Sequence, residues 1–464
     1  MLFQTQFYVL VFLPAVAGLY YAVAGSARAR QWVLIGASII FYAWWDIRFV
    51  VLPVSQIAAT WLLALLHDRT GKRSALVAGI VLNLLSLAFF KYLDFLLGFL
   101  AEISGLSLPL PSVVLPIGIS FFSFQLISYL ADRMRREAPI YPLRQFTLFV
   151  LLYPHLIAGP IVRHNELIPQ FAFDPRRDGL WQRIGTGLII FTVGFAKKVL
   201  RADPLGTIAD PLFANATTHA LNLGEAWTAV LSFAFQLFLD FSAYTEMAIG
   251  SALIFGLVLP ENFRRPYVAS DIREFWRRWH ISLSNFIRDY LFVPLASSRA
   301  GLLRYVPVSR LRALAAVLVA MALCGLWHGA GWTYVAWGVW HGFGLVVHHI
   351  WQRVGRPLPA ILGWTVTMGF VLMSWVLFRA ANFSVAGSVL MSMVGAGGVA
   401  GALQSVKLLI TAGLACVLIP SAHEIIDGFK VPHPVIAAAG ALLAVYCLFE
   451  AGGGAPVQFI YFQF

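Results

Sequence analysis

The sequence predicts an all-α protein that crosses a membrane many times. Of its 464 residues, 60% are hydrophobic and only 12% are charged, whereas soluble domains are roughly 45–50% apolar. The apolar residues run through the whole chain, with a mean hydropathy of +0.79. They recur in stretches close to the ~20 residues that a helix needs to cross a bilayer. These observations exclude an ordinary soluble enzyme and favour one polytopic membrane body, 1–464, over soluble modules on an anchor.

About twelve stretches, or 11 to 13, have the length and composition of a transmembrane helix. Two further apolar pieces, 145–160 and 280–298, are short or broken by Pro and Arg, which is typical of re-entrant or interfacial segments. The first stretch is expected to be retained as a span, because no basic residue precedes it. The predicted spans are 6–25, 32–47, 48–66, 75–98, 113–131, 182–200, 226–258, 312–329, 331–351, 361–378, 404–420 and 434–450.

The positions of Lys and Arg predict the orientation, since cytoplasmic loops are the basic ones. The formal charge is +12, and ten Arg fall within 264–312 alone. When the spans are threaded alternately, the basic stretches collect on one side and both termini lie outside. Lys197 and Lys198, near the outer end of a span, are the exception. Loop charge explains the basic excess, so no nucleic acid partner is expected.

Several kinds of chemistry have no support in the sequence. Cys324, Cys416 and Cys447 lie in apolar surroundings without CxxC spacing, so neither a disulfide framework nor a cysteine metal site is expected. The sequence has no HExxH motif, no phosphate-binding GxxxxGK[ST] loop and no GxSxG elbow. We therefore expect no bound metal and no serine-hydrolase mechanism.

The segment 258–295 has the densest mixture of basic and aromatic residues. Phe275, Trp276, Trp279 and Leu283 are spaced so that a helix would carry them on one apolar face. Two interpretations stay open: an amphipathic helix in the cytoplasmic interface, or a basic mouth that attracts a polyanion, such as the phosphates of coenzyme A or an acidic carrier protein. The candidate donor-binding arginines are Arg264, Arg265, Arg273, Arg277, Arg278 and Arg288.

Two histidines are the candidate catalytic residues. His280 begins the apolar piece 280–298, where a single His is either a satisfied polar group or a catalyst. His328 lies 16 residues after Arg312, and a helix rising about 1.5 Å per residue would carry it roughly 24 Å into the membrane. An ionisable residue at such depth is a functional candidate. Trp327 and Trp332 can wall a pocket around it; the alternative is glycine-mediated helix packing with His328 as an interhelical hydrogen-bonding group.

The predicted span 226–258 carries polar residues inside an apolar run. Asp240 and Tyr244 are one turn apart, so they can line one helix face together, and Gln236 lies in the same run. Buried acids in a membrane are costly and need partners or a cavity. Either these residues line a tunnel or take part in catalysis, or Asp240 forms a buried ion pair with an Arg of the neighbouring basic segment. A transporter or flippase that uses His328 and Asp240 as a proton relay is a further class of protein to test.

Motifs spread over nearly the whole chain resemble those of the membrane-bound O-acyltransferase superfamily, and within it the bacterial polysaccharide O-acetyltransferase group typified by the alginate acetylation membrane subunit. The matching stretches are 41–49, 89–97, 115–132, 155–170, 194–203, 236–250, 259–295, 325–342 (GLWHGAGWTYVAWGVWHG) and 459–464 (FIYFQF). The long central stretch, which includes FWRRWHISLS, is the most specific.

The resemblance implies helices around a central tunnel that joins a cytoplasmic donor entrance to an exported acceptor entrance. N-terminal helices (1–131) would precede a catalytic core (132–351) and C-terminal helices (352–464). The His of LWHGAGW, taken as essential in the family, is His328, and the His of FWRRWHISLS, its partner on the cytoplasmic side, is His280. Ala243 and the stretch 296–298 stand where the family often has glycine, which leaves the acceptor undetermined.

The activity implied is O-acetylation of an exported or cell-wall polysaccharide, in a bacterial inner membrane. Acetyl-CoA or an acyl carrier thioester would be the donor substrate, with no cofactor bound. His328 would be the general base, and His280 would position the donor or polarise its thioester. An exported SGNH-type acetyltransferase would be the partner. D-alanyl transfer to teichoic acid from a carrier protein is the alternative within the superfamily.

Overall fold

The structure is a computed structural model that describes residues 1–297, 309–355, 357–428, 434–453 and 457–460. These ranges are predominantly helical and contain no strand, so the predicted all-α class is confirmed. Two stretches of the predictions, 298–308 of the basic run and 461–464 of the FIYFQF motif, lie outside the described residues.

The α-helices alternate with turns and loops, of which 105–118, 255–271 and 393–405 are among the longer ones. In chain order the first are α1 (Leu13–Ala22), α2 (Ala27–Ala43), α3 (Val51–Thr70), α4 (Arg73–Leu87), α5 (Leu93–Ser104), α6 (Ile119–Arg135), α7 (Leu143–Leu151), α8 (Tyr153–Leu156), α9 (His164–Leu167), α10 (Leu180–Lys197) and α11 (Asp203–Asn215). The remainder are α12 (Leu223–Ile254), α13 (Ile272–Arg278), α14 (Ile281–Ile287), α15 (Val293–Ala296), α16 (Ser309–His328), α17 (Trp332–Val354), α18 (Ala360–Arg379), α19 (Phe383–Ser392), α20 (Val406–Leu418), α21 (Ala422–Gly428) and α22 (Pro434–Gly452).

Six helical stretches among the described residues are long and apolar enough to cross a membrane, and a seventh is obtained if α20 and α21, which meet at 52°, form one crossing. The six are Ile47–Thr70, Arg73–Ser104, Leu223–Ile254, Leu311–His328, Ala360–Arg379 and Pro434–Gly452. A multi-pass membrane protein is therefore confirmed. The other predicted spans coincide with helices such as α2, α6 and α17. The predicted number of about twelve membrane spans therefore requires these helices to cross the membrane as well.

The structure divides into two compact units. The first comprises Met1–Phe195, Tyr244–Pro260 and Ile425–Pro456. Its core is aromatic: the ring of Phe41 lies 5.2 Å from that of Tyr153 and 5.9 Å from that of Phe12. Such tilted pairs contribute beyond the area they bury. Ring packing therefore contributes to the core of this unit.

The second unit comprises Ala196–Ala243, Glu261–Glu424 and Val457–Phe464, and it contains both candidate catalytic histidines. Its helices α16 and α17 are in backbone contact. A Cβ atom added to Gly325 would lie 2.1 Å from the carbonyl oxygen of Tyr334, and one added to Gly338 would lie 2.1 Å from that of Met321. Glycine permits this approach because it has no side chain. The contact fixes the end of α16, where His328 lies.

Replacing Gly338 with Ala should therefore destabilise the protein. The added methyl group overlaps a backbone oxygen, which a side-chain rotation cannot relieve, so we expect a cost of about 1–3 kcal/mol and a lower Tm in detergent. Gly369→Ala in α18 is the matched control, because a Cβ there meets no atom within 4 Å. Equal melting temperatures for the two variants would contradict the close backbone contact between α16 and α17.

Candidate active site

His280 lies at a break between two short helices. α13 ends at Arg278 and α14 begins at Ile281, so the predicted helix does not continue to Leu283. His280 has φ 43° and ψ 54°, in the left-handed region that non-glycine residues seldom occupy. Backbone bonds tie the break to a preceding loop: the Ile281 N–H donates to the Asn262 carbonyl at 2.9 Å. Surrounding contacts thus hold a strained conformation, which is common at functional sites.

The side chain of Asn262 determines which nitrogen of His280 carries a proton. Ser282 donates its hydroxyl to Asn262 Oδ1 at 2.8 Å and its backbone N–H to the same atom at 3.4 Å. A backbone N–H can only donate, so this amide atom is the oxygen. His280 Nδ1, 2.9 Å from that oxygen, must then be the N–H donor. The lone pair therefore lies on Nε2.

His280 is fully buried, and its Nε2 has no hydrogen-bond partner among the described residues. Burial lowers the pKa of His280 to about 3, because removing the imidazolium from water is costly. His280 is outside the candidate spans. At neutral pH it is an uncharged imidazole whose free nitrogen can accept a hydrogen bond but cannot donate one.

His328, the last residue of α16, lies in an aromatic pocket and is 4% exposed. Its ring centroid is 4.9 Å from that of Trp327, 5.0 Å from Trp337 and 5.3 Å from Phe378. All three rings meet it edge to face. Such surroundings exclude water from the imidazole, which strengthens any electrostatic interaction made there.

Trp327 connects the two histidines. Its ring centroid lies 6.2 Å from that of His280 and 4.9 Å from that of His328. Trp327 is 5% exposed, so both imidazoles contact one buried indole. Residues nearly fifty positions apart in sequence are thus brought into one pocket.

Several residues around His328 are not predicted from the sequence patterns. Trp337, Trp375 and Phe378 are buried, and Trp337 lies between His328 and His341, with its ring 4.8 Å from that of His341. His341 is fully buried, and its Nε2 lies 2.9 Å from the Ser374 hydroxyl oxygen. The signal that could have found it is the second WHG triplet, at 340–342, which repeats the one that contains His328.

The six candidate arginines separate into two groups. Four form ion pairs: Arg264 with Glu261, Arg265 with Glu424, Arg278 with Glu274 and Arg288 with Asp289. Arg273 and Arg277 are exposed, lie one turn apart on α13, and pair with no acid among the described residues. These two guanidinium groups are therefore the ones most available to an incoming anion.

The other candidate residues differ in their surroundings. Trp276 and Trp279 are buried, with the Trp276 ring 5.2 Å from His341 and the Trp279 ring 4.9 Å from Trp375. Trp332 is 47% exposed at the start of α17. Gln236 is buried in α12, and Tyr244 belongs to the first unit, where its ring packs 4.8 Å from Phe3.

Asp240 forms a buried ion pair, but its partner is Lys198 and not an arginine. Lys198 Nζ lies 2.9 Å from Asp240 Oδ1 and 2.7 Å from Asp203 Oδ1. The side chains of Lys198 and Asp240 are 3% and 2% exposed. This pairing explains why Lys198 is tolerated at the outer end of its predicted span, although basic residues are expected on the cytoplasmic side.

The described residues thus bring two neighbouring imidazoles into one buried aromatic cluster of a multi-pass membrane protein. In the part of the chain that the structure describes, no group of three or more His, Cys, Asp or Glu could hold a metal ion. The sequence profile of the membrane-bound O-acyltransferase family matches residues 39–390. The chain belongs to this family, and it is an O-acyltransferase.

Three relatives were compared with this chain by sequence identity and by the share of each chain that the alignment covers. The peptidoglycan O-acetyltransferase of Helicobacter pylori is 37% identical over 436 residues, covering 86% of this chain and 81% of that one. The probable alginate O-acetylase of Pseudomonas aeruginosa is 39% identical over 403 residues, covering 83% and 73%. The teichoic acid D-alanyltransferase of Streptococcus thermophilus is 29% identical over 284 residues, covering 56% and 68%. Similarity to the two acetylating enzymes is thus stronger and longer.

Proposed function

We propose that this protein transfers an acetyl group from a cytoplasmic thioester, acetyl-CoA, across the membrane for O-acetylation of an exported or cell-wall polysaccharide. The observation that carries the proposal is that His280 and His328 both contact the buried ring of Trp327, within one aromatic cluster of a family member. The acetylating relatives support the acetyl group and a polysaccharide acceptor.

In the proposed reaction His328 acts as the general base. It removes the proton of an acceptor hydroxyl while the hydroxyl oxygen attacks the thioester carbonyl carbon. The carbon–sulfur bond then breaks, and the imidazolium returns the proton to the departing thiolate. An imidazole suits both steps because the same ring nitrogen can accept a proton and then return it.

His280 positions the donor in this scheme. Its Nδ1–H is committed to Asn262, so the free Nε2 can accept a hydrogen bond from an N–H or O–H group of the donor. The same tautomer disfavours the other role expected from the sequence: polarising the thioester carbonyl would require a donor at Nε2, and a pKa of about 3 leaves none at neutral pH.

Arg273 and Arg277 attract the phosphates of the donor, because they lack acidic partners among the described residues. Replacing both with Ala should raise KM for acetyl-CoA about 3- to 10-fold, since each exposed charge contributes up to about 1 kcal/mol. It should also weaken the dependence of KM on salt concentration. The measurement is acetyl transfer in purified membranes at several salt concentrations.

Arg288→Ala is the control for that experiment. Its guanidinium is already paired with Asp289 at 2.7 Å, so we expect KM to change less than about twofold. If Arg288→Ala raised KM as much as the double variant did, the assignment of Arg273 and Arg277 would be wrong.

The donor is tested by supplying purified membranes with labelled acetyl-CoA or with a D-alanyl carrier protein. Label transferred to polymer from acetyl-CoA alone supports the proposal, whereas transfer from the carrier protein alone overturns it. An inner-membrane location and an exported SGNH-type partner complete the proposal. Proteoliposomes that moved substrate with protons, without covalent transfer, would favour a transporter instead.

A further inference from the structure

The buried ion cluster of Lys198, Asp203 and Asp240 also binds a distant piece of backbone. The Ile460 N–H donates to Asp240 Oδ2 at 2.7 Å, and Lys198 Nζ donates to the carbonyl of Gln458 at 3.3 Å. Phe459 and Ile460 are 1% and 2% exposed. The segment Val457–Ile460 is therefore held by charge-assisted hydrogen bonds, which are stronger than those between neutral groups.

The same segment reaches the wall beside His280. The ring of Phe459 lies 5.7 Å from that of Phe241, and Phe241 meets the His280 ring edge to face at 4.8 Å. Phe241 follows Asp240 directly in α12. Asp240 of the ion cluster is thus the sequence neighbour of Phe241, whose ring contacts His280.

We propose that Lys198 and Asp240 are positioning residues: they clamp Val457–Ile460 against Phe241, and this keeps the His280 imidazole in place. The link to catalysis rests on the proposed function. In this proposal Asp240 neither binds the donor nor transfers a proton. Asp203 differs from Asp240, because it neutralises Lys198 and makes no described contact with the segment.

The clamp is tested by the reactivity of a cysteine at position 460. Ile460→Cys is made in a chain whose Cys324, Cys416 and Cys447 are Ala, and its labelling by a membrane-permeant maleimide is timed. The buried thiol should react slowly. Adding Asp240→Leu, which removes the acceptor for the residue 460 N–H, should speed labelling at least tenfold.

Two further variants separate the clamp from general stability. Asp203→Asn also removes a charge next to Lys198, and it should change the labelling rate less than threefold. Asp240→Asn keeps an oxygen acceptor, so it should give an intermediate rate, and it replaces the Leu variant if that protein does not fold. Equal rates for the Asp203 and Asp240 variants, whether slow or fast, overturn the proposal.

Activity is measured separately on the Ile460 wild-type background. Asp240→Leu should lower kcat for acetyl transfer about tenfold while KM for acetyl-CoA stays within twofold, because a displaced imidazole misaligns the bound donor, whereas Arg273 and Arg277, which attract its phosphates, are unaffected. Unchanged kcat despite fast labelling would overturn the link to His280. If the unmodified protein transferred no acetyl group, the proposed function would fail while the labelling result still decided the clamp.

Discussion

Replacing His328 with Ala should lower kcat for acetyl transfer by about 10²- to 10⁴-fold, which is the usual contribution of a general base. The pocket formed by Trp327, Trp337 and Phe378 would remain, so KM for acetyl-CoA should change little. The measurement is transfer of labelled acetyl in purified membranes, normalised to protein abundance.

His349→Ala is the matched control for this experiment. His349 is on the adjoining helix α17 but is exposed, so its loss should leave kcat within about twofold. An His328→Ala variant that kept full activity at normal abundance would refute the role of His328 as base.

Replacing His280 with Asn should lower kcat/KM by about 10- to 10²-fold, because the donor loses the acceptor that aligns it. Asn is the suitable variant, since it tolerates the left-handed backbone at φ 43° better than Ala does. Asn262→Ala should give a smaller loss in the same direction, because the imidazole stays but its tautomer is no longer fixed. Full activity in both variants would show that His280 does not position the donor.

The burial of His280 also makes the free energy of unfolding depend on pH. The pKa of His280 is about 3 in the folded protein and near 6.5 when unfolded, so the unfolded chain binds the extra proton between these values. Its contribution to stability is complete above about pH 6.5 and is lost as the pH falls toward 3. Between pH 6.5 and 4, Tm should therefore fall more steeply in wild type than in His280→Asn. Parallel curves for the two proteins would contradict the burial of a neutral His280.

The all-α membrane class can be predicted from composition. The two histidines can be singled out from their motifs and from the expected depth of His328, because these features depend on local sequence. The ion pairs do not. One of the two interpretations of Asp240 pairs it with an Arg, but Lys198 is the partner because both side chains lie within one buried cluster. Glu424 neutralises Arg265 from 159 positions away. Such partners are chosen by tertiary packing, and no periodicity in the sequence reports them.

The burial of Lys198 has a consequence for how the chain enters the membrane. During synthesis Lys198 emerges shortly before Asp203 and well before Asp240, so its charge is only partly compensated when α10 is first available for insertion. Because a buried charge without its partners is costly, α10 should not settle in its final place until α12 has arrived. The two helices are therefore expected to leave the translocon as a pair, and Asp240 variants should slow the biogenesis of the whole protein.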